Sequence, residues 1–382
     1  MNQSINSMFL IALALFSLIV IEIIRRNWRL AVLVSIIVPG TLSRLLAALL
    51  PSVFMETTHY IGVKGEKIPM RIYHPKKPGR RPVFIIYPGA SPTGEEHEAL
   101  NILGEGMAKL GLRVFLPRLS ALKDVLIQSE TTEEIIKAYR QVGQRSDVNP
   151  EKIAVVGVSF SGSLVIKAFA EESITTMPAC ILSYGSYFDI VNTLRFALTG
   201  DFSDGNDQYH IDPNEWGRIV FFHNHLDLLE EHLNPERVRP YFLKLVRNDK
   251  NGAEDAFKKM SEQEQEFVRK IVDGNRKETM ELAEEILPKL KDVNIALSPR
   301  YFINKINFPL FLMHGSQDNM VPFTETVKFS RILRSEGKNV KTYISHLYGH
   351  SKVDVYKKGI KFLVKELWNM GSFLNKVLNT VF

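Results

Sequence analysis

The chain has 382 residues, 45% hydrophobic and 24% charged, which is ordinary for a globular protein and excludes a disordered, collagenous or coiled-coil chain. Lysine and arginine exceed aspartate and glutamate by only six, without a dense basic block, so the sequence predicts no nucleic-acid partner. The single cysteine, Cys180, excludes an intramolecular disulfide framework and a multi-cysteine zinc site.

The first candidate element is an N-terminal apolar segment, residues 8–24, whose only charge is Glu22. At 1.5 Å per residue it can cross a bilayer core with help from its flanks. The basic residues follow this segment instead of preceding it, so a membrane anchor fits better than a cleaved signal peptide. These basic residues are Arg25, Arg26 and Arg29. We therefore expect residues 1–56 to be a hydrophobic membrane-anchoring region.

A second apolar stretch, residues 30–54, is interrupted by Pro39 and Gly40. It is compatible with a second membrane span, an interfacial helix or a segment packed on the following domain. The positive-inside rule places the arginines after the first segment in the cytoplasm. One span then leaves the rest of the chain cytoplasmic, whereas two spans leave it outside, so the side of the membrane stays open.

From residue 57 onward, short apolar runs end in turn residues and alternate with helical patterns. Residues 58–73 predict two antiparallel strands with a turn near Gly65. Runs that are buried on both faces and separated by helices are typical of a mainly parallel sheet. The other predicted strands are residues 83–87, 113–116, 153–156, 180–183, 309–313 and 340–345.

Between residues 193 and 305 this pattern stops, and amphipathic helical stretches such as 255–272 and 276–290 replace it. Both flanks are strands of the predicted sheet, so we interpret the region as a helical cap inserted into one domain, with a separate helical domain as the alternative. The predicted organisation is an anchoring region, an α/β core in two parts and a cap, with bounds 1–56, 57–192, 193–305 and 306–382.

The most informative stretch is residues 149–168, NPEKIAVVGVSFSGSLVIKA, where a strand runs through a tight turn into a helix. A serine on such a turn stands clear of the backbone, and the helix N-terminus points N–H groups at an anion formed there. Gly157 and Gly162 stand where neighbouring backbone must approach closely. The spacing after Gly157 favours Ser159 as the nucleophile, with Ser161 as the alternative.

This turn resembles the G-x-S-x-G signature of the α/β-hydrolase superfamily, although Ser161 makes it G-x-S-x-S-G. The family's chain order is Ser, then Asp or Glu, then His. Residues 308–322, FPLFLMHGSQDNMVP, resemble the family's H-G-x-x-D-x-x-V-P turn, which implies that Asp318 orients the histidine and that His314 is structural. The resemblance spans residues 57–367 and implies an α/β-hydrolase fold, with a mainly parallel sheet flanked by helices.

Two histidines, His346 and His350, follow the last predicted strand. The resemblance implies that His350 is the base, because it follows Gly349 on a loop as the family's histidine usually does. His346, at the strand end, is the alternative. Asp318 also has a structural alternative, as a turn residue that caps the helix predicted near 324–333.

An oxyanion hole needs two backbone N–H donors aimed at the developing charge. We expect one from Phe160, directly after the nucleophile, and the other from Ala90, in the loop after the strand at 83–87. Family members often have His-Gly in that loop, whereas this chain has Pro88 followed by Gly89.

The resemblance implies a serine hydrolase that forms an acyl-enzyme and requires neither a metal nor an organic cofactor. A carboxylic ester with an apolar or lipid-like acyl group is the expected substrate, because a cap and an anchor suit such a group. The alternatives are a serine peptidase or amidase and a catalytically idle, membrane-tethered scaffold. The sequence leaves the oligomeric state open.

Three further features are expected to be structural. His223 and His225 have metal-ligand chemistry, but positions i and i+2 do not share a helix face, so we expect solvated histidines. An aspartate-rich stretch around Gly205 resembles a calcium loop only loosely and is expected to be an acidic surface loop. Cys180 is expected to pack inertly within a strand.

Overall fold

A computed structural model describes residues 51–77, 79–171, 174–273, 275–349 and 359–382, together with 17–18 and 28–29. The strands within these ranges are β1 (Val53–Ile61), β2 (Lys67–Pro75), β3 (Arg81–Tyr87), β4 (Arg113–Pro117), β5 (Val148–Val158), β6 (Cys180–Tyr184), β7 (Asp201–Asp204), β8 (Asp207–His210), β9 (Leu310–Gln317) and β10 (Val340–Gly349).

The central sheet of the described chain has eight strands in the order β1-β2-β4-β3-β5-β6-β9-β10. β1 and β2 are antiparallel, as is the β2–β4 pair, whereas the remaining neighbours are parallel. Every predicted strand of this sheet is present, including the antiparallel lead-in with Gly65 in its turn, where φ is 82°. The parallel strands therefore present their carboxyl ends on one edge of the sheet.

Helices cover both faces of this sheet and also form the insertion. Their bounds are α1 (Glu98–Lys109), α2 (Ser120–Lys123), α3 (Thr131–Gly143), α4 (Phe160–Glu171), α5 (Ile190–Thr199), α6 (Glu215–His225), α7 (Pro235–Val246), α8 (Lys250–Phe257), α9 (Glu262–Val272), α10 (Arg276–Ile286), α11 (Lys291–Leu297), α12 (Thr324–Ser335) and α13 (Ile360–Leu378). Short 3₁₀ turns lie at Gly94–Glu96, Leu226–Leu229, Leu287–Leu290, Pro299–Tyr301 and Ile303–Lys305.

The side chains of β5 divide between two apolar layers because successive strand residues point to opposite faces. Ile153 and Val155 join the larger core, which continues into the cap. Ala154 and Val156 join the smaller core on the other face, where α13 packs. This double burial explains why the strand reads as a continuous apolar run.

The insertion differs from the sequence prediction in two places. The acidic stretch around Gly205 is a short hairpin of β7 and β8, where only helices and an irregular loop were expected. The helix predicted over 255–272 is two helices, α8 and α9. The Ser261 hydroxyl accepts the Glu264 N–H and the Glu264 carboxylate accepts the Ser261 N–H, and this capping box starts α9 afresh.

Within the residues that the structure describes, no helix is both long enough and apolar enough to cross a bilayer. Of the predicted segment 8–24, only positions 17 and 18 are described. The stretch 30–54 is likewise outside the described residues except at its end, where Val53 and Phe54 begin β1. The last helix of the described chain is α13, from Ile360.

Candidate active site

Ser159 lies in the one-residue turn between β5 and α4, at the carboxyl edge of the sheet. Its φ is 55°, a left-handed conformation that is unusual for a residue with a side chain. The turn is fixed from both sides, because the Ser159 N–H donates to the Tyr184 carbonyl at 2.7 Å and the Gly162 N–H donates to the Ser159 carbonyl at 2.9 Å. This is the strained strand-to-helix turn that presents a nucleophilic hydroxyl.

Glycines allow this turn to pack tightly. A Cβ atom at Gly157 would lie 2.5 Å from the Gly162 Cα, and one at Gly162 would overlap the Ser186 hydroxyl. A Cβ at Gly89 would lie 2.9 Å from the Ser159 Cβ, so the loop after β3 passes directly beside the serine. The contact between Gly157 and Gly162, and that between Gly89 and Ser159, are possible because a glycine has no side chain.

Ser161 is committed to structural hydrogen bonds. It is fully buried, and its Oγ accepts the Val158 N–H at 2.9 Å. The same hydroxyl can donate to the carbonyls of Tyr87, at 2.8 Å, or Val158, at 2.9 Å. It thus ties the start of α4 to the ends of β3 and β5, whereas Ser159 keeps 8% of its surface exposed. This geometry favours Ser159 over Ser161 as the nucleophile.

The predicted oxyanion donors lie on the two backbone segments that flank Ser159. Phe160 is the first residue of α4, and the first N–H groups of a helix have no acceptor within the helix. Ala90 follows Gly89, whose backbone runs against the Ser159 side chain. Both segments lie next to Ser159, and the assignment of Ala90 and Phe160 as oxyanion donors stays a prediction.

Asp318 lies in the turn directly after β9 and is 3% exposed. Its Oδ1 accepts the N–H groups of Met320 and Val321 at 2.8 and 2.9 Å, which fixes the carboxylate in a turn of its own. Its Oδ2 faces Gly185, where a Cβ would lie 3.5 Å away. One oxygen therefore holds the turn, while the other lies near Gly185 and 3.4 Å from the His314 Nε2.

The end of β6 connects the serine and aspartate turns. Tyr184 accepts the Ser159 N–H, and the next residue, Gly185, donates its N–H to the Met313 carbonyl of β9 at 2.9 Å. Gly185 has a φ of 65° and also stands beside Asp318. Ser159 and Asp318, 159 positions apart in the chain, are thus separated by the end of one strand.

The predicted base, His350, lies outside the described residues. His346 is described: it is exposed near the end of β10, its Nδ1 is 3.1 Å from the Ser316 hydroxyl, and its N–H donates to Glu366 at 3.1 Å. His314 is fully buried, with its ring nitrogens bonded to the Thr326 hydroxyl and the Val321 carbonyl. His314 therefore holds the Asp318 turn, in agreement with the structural role expected for it.

The cap contacts both sides of this site. The Asn214 N–H, at the start of α6, donates to the Asn319 carbonyl at 2.9 Å, next to Asp318. On the other side, Ala90 and Trp216 pack against the same small apolar cluster, which consists of Val125, Val220 and Val246 and also contacts Ile127, Ile219 and Leu243. The cap therefore packs on the loop of Ala90 through apolar side chains.

Sequence reasoning missed a polar junction where the chain enters and leaves the cap. Asp189 caps α5 and pairs with Arg300. The Ile190 N–H donates to the Ser298 hydroxyl at 2.9 Å. The buried Glu325 carboxylate accepts the N–H groups of Phe188 and Asp189 at 3.0 and 2.7 Å. An aspartate before a helix could have been found as an N-cap, but nothing in the sequence identifies Glu325.

Burial dominates the electrostatics of this junction. Glu325 is 1% exposed, and desolvation raises its pKa to about 7, although its two backbone donors oppose the shift. The hydrogen bond to Asp189 raises the pKa of the Arg300 guanidinium above its ordinary value. The junction therefore contains a carboxyl group whose proton affinity is unusually high for a glutamate.

The side chains that were weighed as metal ligands have other partners. His223 is 2% exposed, so the solvated histidine expected there is wrong; its Nε2 lies 3.0 Å from the Asp124 carbonyl, and burial lowers its pKa. His225 packs on Phe221, and burial lowers its pKa to about 4. Asp201 pairs with His210. No group of three potential ligands occurs within the described part of the chain.

The sequence profile of the prolyl oligopeptidase family matches residues 276–380, roughly a quarter of the chain. This segment contains Asp318 and His350 but not Ser159. A search of curated proteins found no match.

Solved structures resemble the whole fold. An uncomplexed acylaminoacyl peptidase from Pyrococcus horikoshii is 13% identical, with a TM-score of 0.53 over 89% of this chain and 44% of its own. An acylaminoacyl peptidase in complex with Z-Gly-Gly-Phe-chloromethyl ketone is also 13% identical, with a TM-score of 0.52 over 88% of this chain and 43% of its own. The chain thus spans less than half the length of these proteins, and the likeness concerns the fold.

Proposed function

The chain has the α/β-hydrolase fold, and from that premise we propose that it is a serine hydrolase with Ser159 as its nucleophile. The observation that carries the proposal is the left-handed backbone of Ser159 between β5 and α4. Such strain costs roughly 1–3 kcal/mol and persists only where surrounding structure enforces it. Here the enforced conformation presents a hydroxyl beside two backbone segments that can hold an oxyanion.

The proposed reaction proceeds through an acyl-enzyme. His350 takes the proton of the Ser159 hydroxyl while Oγ attacks the substrate carbonyl carbon, and the N–H groups of Ala90 and Phe160 hold the resulting oxyanion. Asp318 orients the imidazole and stabilises its protonated form. His350 then gives its proton to the leaving group, which departs. Water deprotonated by His350 attacks the acyl carbon, releases the carboxylic acid and restores Ser159.

A carboxylic ester with an apolar acyl group is the substrate that we propose first. The apolar cluster that Trp216 of the cap shares with Ala90 supports this choice. Apolar side chains beside the loop of Ala90 favour a hydrocarbon acyl chain over a charged one, because burying a charge among them would be costly.

A serine peptidase is the second candidate. It is supported by the match of residues 276–380 to the prolyl oligopeptidase profile. The same triad chemistry serves esters and amides. An ester and an anilide that carry the same aminoacyl group separate the two candidates. A peptidase hydrolyses both substrates efficiently, whereas an esterase hydrolyses the ester and leaves the anilide nearly uncleaved.

Labelling with a fluorophosphonate probe tests the nucleophile directly. We expect the full chain and Ser161→Ala to be labelled and Ser159→Ala to remain unlabelled. Continued labelling of Ser159→Ala would contradict the assignment. Failure of the folded wild-type chain to react would favour the catalytically idle scaffold.

The membrane anchor is also a proposal, supported by the apolar sequence at 8–24 and the arginines that follow it. Extraction of membranes at alkaline pH distinguishes an integral protein, which stays in the pellet, from a peripheral one. Protease treatment of sealed vesicles of known orientation then gives the side that carries Ser159.

A further inference from the structure

The outer surface of α13 carries two large apolar side chains that face solvent. Val364 is 61% exposed and Trp368 is 60% exposed. They are four residues apart, so they lie next to each other on one helix face. The opposite face is the buried one, where Met370, Phe373 and Val377 join the core. α13 is therefore apolar on both sides, which packing against the sheet alone does not explain.

The exposed charges that α13 itself carries have one sign. Lys361, Lys365 and Lys376 are exposed around Val364 and Trp368, and these five residues define the α13 outer face. The one carboxylate of the helix, Glu366, is 6% exposed and turned inward, where it accepts the Tyr343 hydroxyl at 2.9 Å and the His346 N–H at 3.1 Å. Lysines around tryptophan are the residue types that favour an anionic membrane interface.

The C-terminal end of α13 lies close to Arg29. The Arg29 guanidinium carbon stands 3.6 Å from the centre of the Phe382 ring, just beyond the end of α13. Only four residues lie between Arg29 and Ile24, the end of the apolar segment, so at most about 18 Å of chain joins the two. Trp28, next to Arg29, is 39% exposed. A bilayer that received the N-terminal segment would be within reach of the C-terminal end of α13.

We propose that the α13 outer face docks on an anionic membrane surface. Trp368 and Val364 enter the boundary between headgroups and acyl chains, and the three lysines face the lipid phosphates. The occupant is a bilayer, because the charge of the face favours one and the C-terminal end of the same helix lies beside Arg29, which follows the apolar segment in the sequence. The proposal does not depend on the reaction at Ser159.

Tryptophan fluorescence tests this contact in the full chain. The chain contains three tryptophans, so Trp28→Phe combined with Trp216→Phe leaves Trp368 as the only one. The protein is mixed with vesicles of phosphatidylcholine and phosphatidylglycerol whose acyl chains are brominated. We expect bromine to quench Trp368, and quenching to be lost when phosphatidylglycerol is omitted. The matched variant that retains only Trp216, in the cap, should not be quenched.

Charge variants make the test quantitative. Lys361→Gln and Lys365→Gln should each lower the ratio of docked to undocked Trp368 by about fivefold, because each lysine near an anionic surface contributes binding energy. Quenching that is unchanged by these variants, or that persists without anionic lipid, overturns the proposal. Shielding of Trp368 from iodide without vesicles, together with a dimer in light scattering, would assign the face to a second copy and also overturn it.

A second probe avoids changes at tryptophan. Cys180 is fully buried, so Val364→Cys provides the accessible thiol for an environment-sensitive dye. Its emission should shift to the blue with anionic vesicles, whereas the same dye on Ile295→Cys, an exposed position on the cap helix α11, should not respond. An unchanged spectrum at position 364 would contradict docking.

Discussion

Gly349, at the end of β10, lies opposite Gln317 in the parallel ladder with β9. Gln317 directly precedes Asp318, and Gly349 directly precedes position 350. The ladder shifts register between Ser345 and Gly349, so the irregular end of β10 brings the chain back toward the aspartate turn. The two strands that precede the predicted acid and base therefore converge at one edge of the sheet.

From this relationship we expect His350→Ala to abolish hydrolysis. Removing the base of such a triad lowers kcat by about 10⁴-fold or more. The matched variant is His346→Ala, which removes an exposed histidine bonded to Ser316 and should retain nearly full activity. Steady-state hydrolysis of a p-nitrophenyl ester by both variants measures the difference. A greater loss in His346→Ala would move the base to position 346.

Ser161→Ala should weaken the fold without removing the nucleophile. The substitution leaves the half-buried Val158 N–H without its hydroxyl acceptor, which costs about 1–3 kcal/mol of unfolding free energy. Urea unfolding of the purified variant measures this loss, and fluorophosphonate labelling under native conditions shows whether Ser159 still reacts. A variant as stable as the wild type would show that another group replaces the hydroxyl.

The strain at Ser159 is itself measurable. Glycine adopts positive φ freely, so Ser159→Gly should be more stable than Ser159→Ala by about 1 kcal/mol. The order should reverse at Ser163, inside α4, where alanine favours the helix over glycine. Thermal unfolding of the four variants provides the comparison. Equal stability of the two position-159 variants would mean that the turn relaxes and stores little strain.

Glu325 should lower the stability of the fold as pH rises, whereas most carboxylates stabilise a fold as pH rises. Its pKa rises from an ordinary 4.5 to about 7 in the folded chain, so the folded state binds a proton that the unfolded state has lost. The contribution of Glu325 to the free energy of unfolding is fully present below pH 4.5. It declines by about 3 kcal/mol as the pH rises through 7. Glu325→Gln keeps an acceptor for the two backbone N–H groups but cannot ionise.

We therefore expect the stability of Glu325→Gln relative to the wild type to increase between pH 5 and pH 8. Chemical denaturation at several pH values measures this difference. Glu336→Gln, at an exposed position after α12, is the matched control and should show no such trend. A constant difference between Glu325→Gln and the wild type would assign the pH dependence elsewhere.

Trp216→Ala should reduce the preference for longer acyl chains. If the apolar cluster near Ala90 receives the acyl group, each methylene buried in the wild type raises kcat/KM by about fourfold. In Trp216→Ala the increase in kcat/KM per methylene should be smaller, while kcat/KM for an acetate ester should change little. The control is Ile295→Ala, at an exposed site on the cap. An unchanged chain-length profile in Trp216→Ala would place the acyl group elsewhere.

The sheet was predictable because its strands are buried on both faces and end in glycine or proline turns. The turns at Ser159 and Asp318 were predictable for the same reason, since each follows such a strand. The break between α8 and α9 was harder to find, because apolar periodicity continues across Ser261 and only the hydrogen bonds with Glu264 reveal the new helix start.

Long-range polar contacts were beyond sequence reasoning. Glu325 meets Phe188 and Asp189 from more than 130 positions away, and nothing near Glu325 in the chain marks it as buried. His223 was expected in solvent because the residues around it were judged only by helix periodicity. Its contact with the Asp124 carbonyl comes from a loop that the cap folds over.

The junction of Asp189, Ser298 and Arg300 brings the two boundaries of the insertion side by side, with the Ile190 nitrogen only 2.9 Å from the Ser298 hydroxyl. A segment whose ends nearly touch can be exchanged for a shorter or longer one without stretching the strands on either side. The α/β core can thus acquire a different cap through one recombination event, and the turn that holds Ser159 would remain in place.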